Sequence, residues 1–309
     1  MGLEGSLLCR SNLSDREPQT MKPCRGPDDH PTRPVQPMPA GACDTHCHVF
    51  GPYDRFPLSP TRSFTPPEIS FERLRGLHDF LGIERSVLVQ ASCHGSDNGA
   101  MLDAIARSGG RYRGVAIVAP DTTDAELAAL HASGIRGVRF NFVAHLGGAP
   151  DMGFFWKTLE RIAPLGWHVQ IHLDAVDIPK HADLFAKIAI PFVIDHMGRV
   201  KASDGVDHPV FRQLVDLLAT NPRAWVKVSG SERVSSAGLP FHDATPFVRA
   251  LYAAAPERTL WGTDFPHPNL AGDMPNDGGL VDLFMHNFPD PADRQRILVD
   301  NPARLYWTD

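Results

Sequence analysis

Two hydrophobic rhythms alternate along this 309-residue chain. Short runs of β-branched and aromatic residues recur as ACDTHCHVF (42–50), SVLVQAS (86–92), GVAIVAP (114–120), GVRFNF (137–142), HVQIHLD (168–174), FVIDHMG (192–198), WVKVSG (225–230) and TLWGTDFP (259–266). Between them lie stretches with apolar residues three and four apart, among them 70–82, 98–109, 124–134, 153–166 and 208–222. The first rhythm predicts strands and the second amphipathic helices. Strands separated by helices must run parallel, because a crossover rather than a hairpin joins them. Eight such units predict a closed (β/α)8 TIM-like barrel, since closure removes both sheet edges. An open doubly wound sheet is the competing arrangement.

The polar positions favour the barrel. A barrel places its chemistry at the carboxyl ends of its strands, and there the chain carries His46 and His48, Ser92 with His94 beyond it, Arg139 with Asn141, His172, His196, Ser229 with Arg233, and Asp264 with His267. His46 and His48 are two apart on a strand, so both imidazoles leave one face and can converge on a metal or a substrate. Asp264 closes an apolar strand, where an unpaired carboxylate would be costly and a partner is required. Cys47, between the two histidines, points to the opposite face and reads as packing. His78, His131, His181 and His208 fall in helical or connecting stretches and read as solvated, while His145 and His267 fall on loops at the catalytic face.

Composition narrows the function classes. Residues 1–40 are rich in Pro, Asp, Arg and Ser and have no apolar period, which predicts a disordered or draped extension before a single catalytic domain spanning 41–309. The net charge of -6, with signs interspersed, gives no footprint for nucleic acid or an anionic membrane. No apolar run is long enough to span a bilayer. Gly2 and Ser6 match an acylation pattern that is too short to weigh against chance. Five cysteines without CxxC spacing indicate neither a disulfide framework nor a structural zinc site, so a reducing cytoplasm is expected.

The placement of His-x-His on strand one, His on strands five and six, and Asp on strand eight resembles the amidohydrolase superfamily. Through CDTHCHVFGP, VLVQASCHGSDN, GIRGVRFNF, GWHVQIHLDA, VIDHMGR, WGTDFPHPN and NPARLYW, the chain from about residue 40 onward is similar to the 2-pyrone-4,6-dicarboxylate lactonases and the related sulfomuconolactone hydrolases. In those lactonases the site works without a metal. The resemblance implies carbonyl-polarising roles for His46, His48 and His196, a base role for Asp264, and anion-holding roles for Ser92, Arg139 and Arg233.

Three departures change that picture. This chain has His172 where the lactonases carry a tyrosine on strand five, His145 where they carry a second arginine, and Phe64 where they carry a tyrosine before the first helix. His172 restores a ligand set of His46, His48, His172 and Asp264, which with an open position suits a catalytic Zn²⁺. The other two remove a charge and a hydroxyl from the anion wall. The expectation is a hydrolase for a small unsaturated dianionic lactone, muconolactone or sulfomuconolactone in type, with Asp264 and His196 catalytic and Ser92, Arg139, Arg233, His94 and His145 binding substrate. A metal-free version of the same reaction, a metal-dependent decarboxylase and a non-catalytic binding module are the alternatives.

Overall fold

The computed structural model describes residues 23–144 and 148–308. The acylation pattern, the first half of the extension and His145 lie outside the described residues. Eight strands form one sheet in chain order, each parallel to the next: β1 (Cys43–Cys47), β2 (Arg85–Val89), β3 (Tyr112–Ala116), β4 (Ile135–Asn141), β5 (His168–His172), β6 (Phe192–Ile194), β7 (Ala224–Lys227) and β8 (Thr259–Leu260). The ring closes through Thr45 N to Trp261 O at 3.0 Å, Asp264 N to His46 O at 2.7 Å and His48 N to Phe265 O at 2.8 Å. This is the expected (β/α)8 barrel.

Helices fill the intervals as their periodicity demands. The five stretches read as helical become α1 (Phe71–Leu81), α2 (Gly99–Arg107), α3 (Asp124–Ala132), α4 (Met152–Ile162) and α6 (Pro209–Thr220), and a short α5 (Ala182–Lys187) lies between β5 and β6, where no helical stretch was predicted. Local signals set their ends: Ser70 accepts from Arg73 N at the start of α1, Gly82 ends it at φ 81°, and Thr123 with Glu126 forms a capping box on α3. The last third adds α7 (Ser231–Val234), α8 (Thr245–Ala254), α9 (Asp277–Asn287), α10 (Pro291–Gln295) and α11 (Asn301–Tyr306).

Period-two alternation sorts each strand between two cores. Leu88, Ala116, Val138, Val169, Ile171, Ile194 and Val226 pack outward against the helices. Cys43, Val87, Val115, Val193, Trp225 and Leu260 fill the interior with Tyr306 of α11, whose ring meets His168 edge-on at 5.1 Å. This plug closes one end, so polar side chains higher in the lumen face the other. The strands are shorter than their apolar runs. β6 ends at Ile194 and β8 at Leu260, leaving His196 and Asp264 on the turns just beyond.

Candidate active site

A cavity of about 330 Å³ opens at the carboxyl ends of the strands. It is lined by His48, Ser92, Arg139, His172, His196, Arg199, Glu232, Arg233 and Asp264, with Phe64 and Pro268–Gly272 at its rim. Asp264 is its electrostatic centre. Three imidazole nitrogens face Asp264 Oδ1: His48 Nε2 at 3.4 Å, His196 Nε2 at 3.6 Å and His46 Nε2 at 3.7 Å. The other oxygen, Oδ2, accepts from Arg233 Nη2 at 2.7 Å and Nε at 2.8 Å. Burial alone would raise the Asp264 carboxyl, but Arg233, with His196 and His48, overrides it and holds the group well below the usual carboxylate range.

The turns carrying these groups are strained. His196, Met197, Gly198 and Arg199 form a run at φ 47°, 55°, 62° and 52°, and Asp264 sits at φ 64°. A left-handed conformation costs a residue with a Cβ roughly 1–2 kcal/mol, and such strain gathers where function positions side chains. Here it swings His196 toward Asp264 and Arg199 into the cavity wall.

Each histidine is oriented from behind. His48 Nδ1 lies 2.7 Å from Val89 O, and a carbonyl can only accept, so Nδ1 donates there and Nε2 is turned toward Asp264. His196 Nδ1 contacts Ser229 Oγ at 3.0 Å. His46 Nδ1 lies 3.3 Å from both Asp195 Oδ1 and Lys227 Nζ. A ring nitrogen facing a carboxylate oxygen at 3.4 Å is held there by a proton or by a cation between them. His46, His48 and Asp264 form a cluster whose ligand atoms lie within 4.8 Å of one another, as do His46, Asp195 and His196. The donors therefore fit a divalent ion. Burial, and Lys227 next, hold His46 well below its usual value; burial takes His196 down to about 4 against the opposing pull of Asp264.

The structure brings only part of the expected ligand set together. His172 belongs to neither cluster. Its ring meets His196 edge-on at 5.8 Å, so it flanks that imidazole instead of standing beside Asp264, and neither ring nitrogen has a hydrogen-bond partner. Burial and the Arg139 charge hold it neutral. His172 lines the cavity, and His196 takes the place beside Asp264.

Other site residues separate in the same way. Ser92, Arg139 and Arg233 line the cavity. Both arginines also carry structural duty: Arg233 grips Asp264, and Arg139 holds Asp195 Oδ2 through Nη2 at 3.0 Å and Nε at 3.1 Å. His94 is not among the lining residues; its ring lies near Phe50 and Tyr53 and its Nδ1 contacts Pro57 O. His267 is buried between Asp277, 3.3 Å away, and Glu232 rather than reaching substrate. Burial would lower His267, but Asp277 and Glu232 outweigh it and raise its pKa. His78 is fully buried rather than solvated, joined to Asp44 at 3.3 Å and Tyr112 at 2.9 Å.

Four residues went unassigned in the sequence reading. Arg199 reaches the wall while bonded to Asp174 at 2.6 Å. Glu232 lines the cavity with neither carboxylate oxygen hydrogen-bonded, and burial raises its pKa. Lys227 and Gln170, fully buried beneath the cavity, bond to each other at 2.8 Å. Burial takes Lys227 down to about 8. Their signal was present: Lys227 stands between two valines in WVKVSG, and Gln170 between Val169 and Ile171 in HVQIHLD.

A family model described as amidohydrolase matches residues 43–307. The chain belongs to the amidohydrolase family. Within it, the chain is 46% identical to a 2-pyrone-4,6-dicarboxylate hydrolase of Comamonas testosteroni, over 91% of this chain and 94% of that protein. It is 41% identical to a 4-sulfomuconolactone hydrolase of Hydrogenophaga intermedia, over 95% and 98%. A solved structure from Acinetobacter baumannii, described as a probable 2-pyrone-4,6-dicarboxylic acid hydrolase with citric acid bound, superposes with a TM-score of 0.76 at 28% identity, covering 86% of this chain and 99% of its own. Family membership fits an active site at the end of the lumen where the His-x-His pair and Asp264 meet.

Proposed function

We propose that this amidohydrolase opens a small dianionic lactone of the muconolactone or sulfomuconolactone type, or 2-pyrone-4,6-dicarboxylate, in the breakdown of aromatic compounds. The observation that carries this reading is the convergence of three imidazoles on Asp264 Oδ1 within a wall of Arg139, Arg199, Arg233 and Ser92. Relatives named for lactone hydrolysis support it, as does a neighbouring structure that holds a polycarboxylate.

Arginine forks suit planar carboxylate and sulfonate groups. Arg199, a quarter exposed, and Arg139 can turn N–H donors to the substrate while keeping their own carboxylates. Asp264 takes a proton from the attacking water as the new C–O bond forms at the lactone carbonyl. The carbonyl oxygen, gaining charge, is stabilised by the imidazoles of His48 and His196 where they carry N–H donors. Collapse breaks the ring C–O bond and the leaving oxygen takes the proton held by Asp264; it departs as a hydroxyl from a muconolactone-type ring, and as an enol that becomes a ketone from a 2-pyrone. Ionisation of the new carboxylic acid leaves one net proton per turnover.

A divalent metal would be held by His46, His48 and Asp264 with His196 in reach; zinc suits these nitrogen and oxygen donors and would lower the pKa of a water there toward ~7. Elemental analysis of protein purified without chelator tests the zinc: about one equivalent supports it, and a metal-free preparation of full activity refutes it. The reaction is tested by proton release from 4-sulfomuconolactone and 2-pyrone-4,6-dicarboxylate. Asp264→Asn should lose about 10²–10⁴-fold in kcat. A wild-type protein that opens neither ring, or an Asn variant as fast as wild type, ends the proposal.

A further inference from the structure

Two distant parts of the chain form the rim of the cavity: Phe64, ahead of α1, and Pro268–Gly272, beyond β8. The Pro268–Gly272 loop has no helix or strand of its own, and Asn269, Ala271 and Gly272 are exposed. From inside, Arg233 Nη2 holds it at Pro268 O at 3.0 Å. From outside it meets the N-terminal segment, which touches both sides of the rim. Cys24 N donates to Thr65 O at 2.7 Å, one residue from Phe64, within a bridge pairing Pro23 with Thr65. The next residue, Arg25, donates from Nη1 to Gly272 O at 3.0 Å, and the backbone of Asn269 meets the Cys24 thiol.

The segment is seated on α9 by more than one contact. Asn276 Oδ1 accepts from Thr32 N and Thr32 Oγ1, both at 2.8 Å, while its Nδ2 donates to Asp28 Oδ2 at 2.8 Å and His30 O at 3.0 Å. Val35 N donates to Asp282 Oδ1 at 2.7 Å. At Gly278 the two backbones are so close that a Cβ would lie 1.8 Å from Thr32 O. A glycine in the first turn of a helix costs helix stability relative to alanine, and here it admits the strap.

We propose that residues 23–36 are a tie across the mouth of the active site, with Arg25 as its positioning residue, and that the tie sets how well a lactone is held there. It spans the two rim segments, which have no element of their own in common, and continues onto α9 through Asn276. Releasing it frees Pro268–Gly272 on the side away from Arg233. Because Arg233 keeps both its bonds to Asp264, the loss falls on substrate binding before it reaches the chemical step. The claim about lactones rests on the proposed hydrolase activity; the mechanical tie does not.

The test compares full-length Arg25→Ala, Arg25→Lys and Gly278→Ala with wild type by amide hydrogen exchange and by steady-state kinetics on the two lactones. Arg25→Ala and Gly278→Ala should speed exchange at both 61–66 and 268–275. They should raise KM about two- to tenfold, the range given by losing a hydrogen bond of ordinary net strength, with kcat within about twofold. Arg25→Lys, which keeps a positively charged N–H donor for Gly272 O, should recover most of the loss. The proposal is overturned if exchange quickens in 24–35 while both rim segments and KM stay at wild-type values. Should Gly278→Ala not fold, Arg25→Ala decides alone, since its side chain is exposed. If wild type opens neither lactone, the hydrolase reading fails by itself, and the exchange at the two rim segments still decides the tie.

Discussion

Arg139 illustrates how one side chain can belong to both site and scaffold. It lines the cavity, yet its guanidinium is bonded to Asp195, which is fully buried and shared with Gln170 at 3.0 Å and with Lys227 at 3.7 Å. Burial would raise Asp195, but His46, Arg139 and Lys227 together hold it ionised. Removing one partner of a buried pair leaves the other charge uncompensated and costs about 3–5 kcal/mol. Arg139→Ala should therefore lower unfolding stability in urea by that order as well as raise KM. An arginine acting on substrate alone would leave the urea midpoint unchanged, and that result would detach Asp195 from the account. The same network places Lys227 and Asp195 on His46 Nδ1, so the orientation of a site histidine depends on charges one layer deeper in the lumen.

At the scale of elements, the seam between β1 and β8 is what brings His46 beside Asp264. β8 is short, and closure passes to the following turn, where Asp44 Oδ1 accepts from Thr263 N at 3.1 Å and Asp44 Oδ2 accepts from Thr263 Oγ1 at 2.6 Å. Gly262 makes this approach possible. A Cβ there would lie 2.5 Å from His46 N and 2.7 Å from Asp44 Oδ1, both held by the closing bonds. Gly262→Ala should cost at least the ~1–3 kcal/mol of ordinary overpacking and, by pushing β1 from Asp264, depress kcat together with stability. Urea unfolding and kinetics on the same preparation check it; a stable, fully active variant would mean that the seam can open without moving the site.

For the whole molecule, the interior is a store of neutral histidines. Burial is the leading cause in each case and takes His168 to about 3 and His196 to about 4, while His46 and His172 are also held well below their usual value. An unfolded chain protonates these imidazoles near pH 6.5, whereas the folded one declines the proton until far lower. Their contribution is thus present above about pH 6.5 and lost as pH falls toward 4 and 3, with a slope of about 1.4 kcal/mol per pH unit for each histidine involved. The urea midpoint should drop between pH 7.5 and pH 5. A flat midpoint over that interval would show that these residues are solvated in the native state. Among the described residues no helix is long and apolar enough to cross a membrane.

By itself the sequence determined the architecture and the centre of the site. Strand and helix periods are local, so β1 to β8, α1 to α4 and α6 could be read directly, while the six-residue α5 is too short to show a period, and chemistry at strand ends marked His46, His48, His196 and Asp264. Tertiary structure decided what depends on angle and on distant partners. His172 and His196 look alike in sequence; only the left-handed turn at 196–199 places one beside Asp264 and leaves the other flanking it. Whether His78, His94 and His267 meet solvent, substrate or a buried carboxylate depends on what packs over them, which no spacing encodes. The pairing of Arg25 with Gly272, 247 positions apart, exists only because the strap crosses the rim of a closed barrel. Periodicity reports the face on which a side chain leaves its element; only closure of the ring determines what it meets there.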